Sequence, residues 1–345
     1  MSNTQLNGKD FLTWLDFDRD EIDAILETAH DLKRKQIRGE KQTDVLPAKS
    51  LFMLFYNTSL RTRNSFEAGM TQLGGHAHFL QPGAVYTPAL EGEEEAYSTE
   101  RVSDVSRVLS EMGDAISIRI YGDKTGWEYG KGYKILEEFA NWGSVPIINM
   151  EDDGYHPNQA LADVMTMQEK MGKDLTGKKF TMSWAYSGSV EKPLSVPQSA
   201  VISAATMGMD VTLAHPEGLD LDPDVLDATE KRADKHGGDF EIVHDMEEGF
   251  EDADVVYPKS WTLQPTDGSK ADLDKAKDVF EDNKDWITTQ DKMELTDDAY
   301  YMHCLPADRG MEVTDEVIDG PNSVVFQEAG NRLHAQKGLL SLLLS

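Results

Sequence analysis

The sequence predicts an α/β protein of two doubly wound parallel-sheet domains. Three observations lead there. Apolar runs of strand length alternate with helix-length segments along most of the chain. Those runs lack the in/out alternation of a half-solvated sheet, as expected for strands covered on both faces. The length, 345 residues, is enough for two domains, each with its own core.

Taken in order, residues 50–57, "SLFMLFYN", read as a buried strand. "RNSFEAGMTQLGG" (63–75) reads as a helix stopped by Gly74 and Gly75. Residues 81–97 hold two prolines, two glycines and four glutamates and read as a long loop. Loops of that length in compact domains are often functional. Val102, Val105, Val108, Leu109 and Met112 mark one face of a helix. "AISIRIY" (115–121) and "SVPIINM" (144–150) are strands, and "ALADVMTMQEKMG" (160–172) is helical. Further strands follow at 178–186, 209–216, 252–261 and 299–306, and 327–344 is a closing helix. A boundary near 150–156 divides the chain into 1–152, joined by a closing segment 327–345, and 153–326. No internal repeat is visible.

Composition narrows the function. Acids outnumber bases 63 to 33, a formal charge of −30. Such a surface repels nucleic acid and anionic membrane. The acids are spread along the chain, so the whole surface is acidic rather than one tail. A cytoplasm rich in salt would screen this self-repulsion; an ordinary acidic soluble protein is the plainer alternative. The single cysteine, Cys304, fits a reducing compartment. No signal peptide and no apolar run of about 18 residues is seen, so a cytoplasmic protein is expected.

Several short stretches carry chemistry. "NTSLRTRNSFEAG" (57–69) turns from a strand end into a helix start. Free N–H groups there, with Ser59, Thr62, Arg61 and Arg63, would make an oxyanion cradle. The plain alternative is a capped helix whose arginines pair with surface acids. The stretch is not a P-loop. Arg119 interrupts an apolar strand, which is costly unless it is paired or placed at a site. His156 precedes Pro157 at a helix start, with Gln159 three residues on, so both could donate into one cleft. "MHCLPADRG" (302–310) puts His303, Cys304 and Pro306 at a strand's carboxyl end, where α/β sheets bind ligands. Lys259 ends the strand "VVYPK" and could hold a carboxylate. No Cys/His/carboxylate cluster has zinc spacing, so no metal is expected.

Together, "SLRTR" (59–63), "HPNQ" (156–159), "HCLP" (303–306) and "EAGNRLHAQKGLL" (328–340) resemble the aspartate/ornithine carbamoyltransferase family, in order and across most of the chain. The finer resemblance is to its knotted branch of N-acetylornithine and N-succinylornithine enzymes, through "YPKSWTLQ" (257–264) and a proline-rich loop "EKPLSVPQ" (191–198). The middle of the chain also looks like a knotted paralogue of uncertain substrate. The resemblance implies carbamoyl transfer from carbamoyl phosphate to the side-chain amine of ornithine or an N-acylated ornithine, without a cofactor. It also implies a knotted C-terminal domain, a final helix packed back on the N-terminal domain, and a homotrimer.

By the same resemblance, Ser59, Leu60, Arg61, Thr62 and Arg332 would bind phosphate. Arg119, His156 and Gln159 would polarise the carbamoyl carbonyl, and Cys304 with the Leu305 carbonyl would take its amide. Glu151 and Lys259 would position the amino acid. Asp308 stands where acylornithine enzymes carry arginine, which favours a free amino group on the acceptor. Tyr86, in the 81–97 loop, would touch a neighbouring subunit. Two other readings stand beside this one: a paralogue acting on another small amine or ureido compound, and a non-catalytic oxyanion-binding protein of the same fold.

Overall fold

A computed structural model describes residues 6–345. The chain divides into two units. The first runs to Ala162 and takes in Gly330–Ser345; the second is Asp163–Ala329. Both divisions fall inside helices, Pro157–Met171 and Val325–Leu343, rather than at 152/153 and 326/327. The polar stretch "EDDG" (151–154), inside the boundary placed near 150–156, is buried and hydrogen-bonded. Asp152 accepts from Asn149 Nδ2 at 2.6 Å and from the Tyr155 N–H at 2.8 Å.

In the first unit the strands are β1 (Ser50–Phe55), β2 (His76–Leu80), β3 (Thr87–Ala89), β4 (Thr99–Arg101), β5 (Ala115–Arg119) and β6 (Ile147–Glu151). The main sheet has order β2-β1-β5-β6 and is parallel throughout. The chain winds outward from β1 to β2, then returns to the other side of β1 for β5 and β6. The carboxyl ends of β1 and β5 therefore mark the switch point, where open α/β sheets bind ligands. Leu54, Ile116, Ile118 and Ile147 pack against Ile135, Leu136 and Phe139 of the helix Lys131–Trp142. Each such side chain, fully buried, stabilises by about 1.5–3 kcal/mol.

The helix Arg61–Leu73 ends at Gly74, whose φ is +96°. A Cβ there would sit 2.0 Å from the Thr43 carbonyl oxygen, so only glycine fits. Two expectations change here. The 81–97 loop contains β3, which pairs in parallel with β4. Val108 and Met112 are more than half exposed, so the helix Val102–Ser110 buries a narrower face than its apolar spacing suggested.

The second unit contains β7 (Lys179–Trp184), β8 (Asp210–Ala214), β9 (Phe240–Val243), β10 (Val255–Lys259) and β11 (Tyr300–Tyr301). Their order is β11-β10-β7-β8-β9, again all parallel. The switch point lies between β7 and β10, so Lys259 ends a strand on it. The stretch 191–198 is not loop throughout. Its second half opens the helix Ser195–Thr206, with Pro197 in the first turn, where its missing N–H costs nothing. Every residue of that helix is buried, its hydroxyls and Gln198 included.

Candidate active site

The first unit gathers guanidiniums around one imidazole. β1 leads through Asn57 into the helix Arg61–Leu73. Asn57 ties this turn to the end of β5: its Nδ2 donates to the Tyr121 carbonyl at 3.1 Å, and its Oδ1 accepts from the Tyr121 N–H at 3.0 Å. Ser59 Oγ accepts from the Thr62 N–H at 3.2 Å. Leu60, the residue before the helix, turns its side chain outward, 71 % exposed, leaving its backbone to shape the turn. Thr62 is buried. Arg63 turns away from the turn instead: it stacks 3.9 Å from the Phe79 ring centre and pairs with Glu67 at 3.2 Å.

Arg119 lies at the end of β5, beside a register shift between Ile118 and Arg119 that sets it opposite Glu151. The two side chains form a buried ion pair. Glu151 Oε2 is also 3.6 Å from His156 Nε2. Sequence reasoning gave Glu151 to the amino-acid substrate; the structure sets it against Arg119, whose burial demands a counter-charge.

His156 and Gln159 are buried, and Pro157 opens their helix. Trp14 Nε1 donates to the Pro157 carbonyl at 3.0 Å and holds that helix start. Arg332 reaches in from the helix Val325–Leu343. Its Nη1 donates to Gln159 Oε1 at 2.5 Å and its Nη2 to Thr62 Oγ1 at 2.9 Å. Burial, then the charges of Arg332, Arg119 and Arg61, hold the His156 pKa well below the usual histidine value. The imidazole is therefore neutral at pH 7 and donates a hydrogen bond without carrying charge. Arg61, Thr62, Arg119, His156, Gln159 and Arg332 thus come together in this unit.

In the second unit the strand ends meet on a carboxylate that sequence reasoning missed. Glu312 is fully buried. Its Oε1 accepts from the Ser260 N–H at 3.0 Å and from Lys259 Nζ at 3.4 Å. Its Oε2 accepts from the Asp308 N–H at 2.7 Å and lies 3.4 Å from His303 Nε2. Burial opposes ionisation, but Lys259 and His303 hold the Glu312 carboxyl well below the usual range. Burial also works against the charge on Lys259, and Glu312 keeps it cationic. His303 Nδ1 accepts from the Leu305 N–H at 2.8 Å, which places its proton on Nε2, toward Glu312. The only sequence signal for Glu312 was an acid a few residues past "HCLP".

Cys304 is a buried free thiol, followed by Leu305 with φ +55°. Asp308 is partly exposed. It accepts from Ser187 Oγ and pairs with Lys192 Nζ at 3.2 Å. Tyr86 is half exposed. Among the described residues no cluster of three or more His, Cys, Asp or Glu has metal-binding geometry.

Two parallel sheets, each with charged side chains at its switch point, make an α/β enzyme of the kind that holds ligands at its strand ends, and the comparisons make it a carbamoyltransferase. Residues 9–169 match the aspartate/ornithine carbamoyltransferase, carbamoyl-P binding domain, and residues 182–343 match the Asp/Orn binding domain. The chain belongs to this family. It is 38 % identical over 345 residues to N-acetylornithine carbamoyltransferase of Xylella fastidiosa, covering 98 % of this chain and 99 % of the relative. It is 40 % identical over 339 residues to ornithine carbamoyltransferase of Pyrococcus abyssi, covering 98 % and 96 %. Among solved structures, acetylornithine transcarbamylase complexed with acetylcitrulline aligns with TM-score 0.89 at 36 % identity, over 98 % of this chain and 99 % of that one. Ornithine carbamoyltransferase from Pyrococcus furiosus aligns with TM-score 0.82 at 37 % identity, over 99 % and 98 %.

Proposed function

We propose that the protein transfers the carbamoyl group of carbamoyl phosphate to the side-chain amine of ornithine or an N-acylated ornithine. The products are a citrulline-type amino acid and phosphate. The observation that carries this reading is the bridge from Arg332 to both Thr62 and Gln159, with Arg61, Arg119 and neutral His156 beside it. It joins a phosphate-sized set of donors to a set suited to a carbonyl oxygen.

In this reading Ser59, the Leu60 backbone, Arg61, Thr62 and Arg332 bind the phosphate. Arg119, His156 and Gln159 donate to the carbamoyl oxygen, where negative charge grows as the amine adds. Cys304 and the Leu305 carbonyl accept from the carbamoyl N–H groups. The amine nitrogen forms a bond to the carbamoyl carbon, the C–O bond to phosphate breaks, and the amine proton leaves with the phosphate. No covalent enzyme intermediate is needed. Orientation and fixed charge supply most of the acceleration. Lys259, kept cationic by Glu312, holds the acceptor's carboxylate. Glu151 acts through Arg119, and Asp308 through Lys192.

Three finer points belong to the same reading. The chain works as a homotrimer in which Tyr86 touches a neighbour. Its second unit is knotted around the 191–198 segment; the Thr262 N–H donating to the Lys192 carbonyl at 3.0 Å ties that segment to the chain after β10. It resides in a salt-rich cytoplasm, in keeping with its charge of −30. Among the described residues no helix is long and apolar enough to cross a membrane.

The test is product formation at molar KCl with carbamoyl phosphate and, separately, ornithine, N-acetylornithine, N-succinylornithine, putrescine and 2,3-diaminopropionate. Turnover with an ornithine derivative supports the reading and names the acceptor. Turnover with another amine alone moves the chain to the paralogue class. Carbamoyl phosphate binding without any turnover overturns the catalytic reading.

A further inference from the structure

The closing helix Val325–Leu343 carries Arg332, so its placement decides whether that guanidinium reaches both partners. Close contacts set how near it lies. A Cβ on Gly338 would sit 2.7 Å from the Ile25 carbonyl oxygen and 2.8 Å from the Ala29 Cβ, so the closing helix presses on the backbone of the helix Arg19–Ile37. A Cβ on Gly69 would touch Lys337 Cγ at 3.4 Å, so the helix Arg61–Leu73 lies against it too. Apolar contact is non-directional and leaves slide and rotation to hydrogen bonds.

Those bonds come from a side chain that the proposed reaction does not touch. Lys337 is 0 % exposed. Its Nζ donates to Gln36 Oε1 at 3.0 Å, on the helix Arg19–Ile37, and to Gln72 Oε1 at 2.9 Å, on the helix Arg61–Leu73. Among the described residues no carboxylate pairs with it, and burial pulls its ammonium down to about 8. A buried cation without a counter-charge costs the fold stability. Methionine would fill the same space at less cost, but it could not tie two helices by direction. Arg332 and Lys337 lie about 7.5 Å apart along the helix axis and about 140° apart around it. Bonds at two such points resist sliding and turning together. Lys33 Nζ adds a third, to Asn331 Oδ1 at 2.6 Å, next to Arg332.

We infer that Lys337, held by Gln36 and Gln72, is a positioning residue that sets the slide and rotation of the closing helix so that Arg332 spans Thr62 and Gln159. The inference rests on the proposed carbamoyl phosphate site only for the ligand that reads it out.

Steady-state kinetics of the full-length protein compare wild type, Lys337→Met, Arg332→Lys and the double variant. Lys337→Met should raise the KM for carbamoyl phosphate about tenfold, as for one charge-assisted hydrogen bond misplaced, with kcat within about twofold of wild type and the acceptor KM unchanged. Arg332→Lys has already lost the forked grip, so adding Lys337→Met should cost less than the product of the two single losses. Losses that multiply overturn the inference, as does an unchanged KM in Lys337→Met. A crystal structure of Lys337→Met without ligand reads the same point directly. The Arg332 guanidinium should have left Thr62 Oγ1 or Gln159 Oε1; both bonds intact overturn the inference. If Lys337→Met does not fold, Gln72→Ala, at a half-buried position, replaces it under the same criteria. A wild type that binds no carbamoyl phosphate sinks the proposed function, while the ligand-free structure still decides whether Lys337 places Arg332.

Discussion

Arg332 Nη2 donates to Thr62 Oγ1 at 2.9 Å, across 270 positions of sequence. The same guanidinium holds Gln159, so one side chain joins three segments of the first unit. Lysine has the charge but not the fork. Arg332→Lys should therefore weaken carbamoyl phosphate by about 10²-fold, two charge-assisted hydrogen bonds lost. Calorimetric titration of carbamoyl phosphate checks this; affinity within twofold of wild type would contradict it.

His156 should stay neutral through the physiological range. Its pKa is held well below the ordinary value by burial and by three arginines. A group depressed in the folded state contributes stability above its unfolded pKa and loses it as pH falls toward the folded one. The His156 ring signals, followed by NMR, should not titrate between pH 8 and 6. His156→Asn should lower kcat by about 10²-fold, as for the loss of one oxyanion donor.

Asp153 behaves in the opposite sense. Burial pushes its carboxyl up to about 6, with the backbone N–H groups of Asp153, Gly130, Tyr133 and Gly132 limiting the rise. Its contribution to stability is full below the unfolded value near 3.8 and is lost as pH rises through about 6. Asp153→Asn removes this loss. Urea midpoints measured from pH 5 to 8 should shift in the variant's favour as pH rises. A difference between the two proteins that is flat with pH would refute the assignment.

Lys259 and Glu312 form a buried pair in the second unit, 3.4 Å apart. Lys259→Met leaves a buried carboxylate without its cation, which costs about 3–5 kcal/mol. Denaturant unfolding should show that loss. At pH values where the variant remains folded, the acceptor KM should rise at least tenfold while the carbamoyl phosphate KM changes little.

Much of this was legible in the sequence, for reasons that can be assigned residue by residue. "SLFMLF" and "AISIR" are covered on both faces, so nothing but a central parallel strand fits them, and both are strands. The edge strands His76–Leu80 and Phe240–Val243 were missed because edges need no apolar run; exposed His76, His78 and Glu241 hid them. Motif positions named Arg61, Thr62 and Arg332, which the structure brings together. Arg63 sits beside them in sequence but turns to Glu67 and Phe79, since successive helix positions point 100° apart. Glu312 was invisible because a buried carboxyl is defined by its partners, and those partners are dispersed along the chain.

The reach of Arg332 has a consequence for how the protein is made. A ribosome that has delivered the chain as far as Tyr301 has finished the eleven strands of the described residues, yet the donor that clasps Thr62 and Gln159 has not been translated. The nascent polypeptide is sheeted but its first unit is not yet clasped. A message cut short after the last strand therefore yields a chain without the Arg332 bridge between Thr62 and Gln159. Closing that bridge becomes a proof-of-completion step, open only to chains read through to the closing helix.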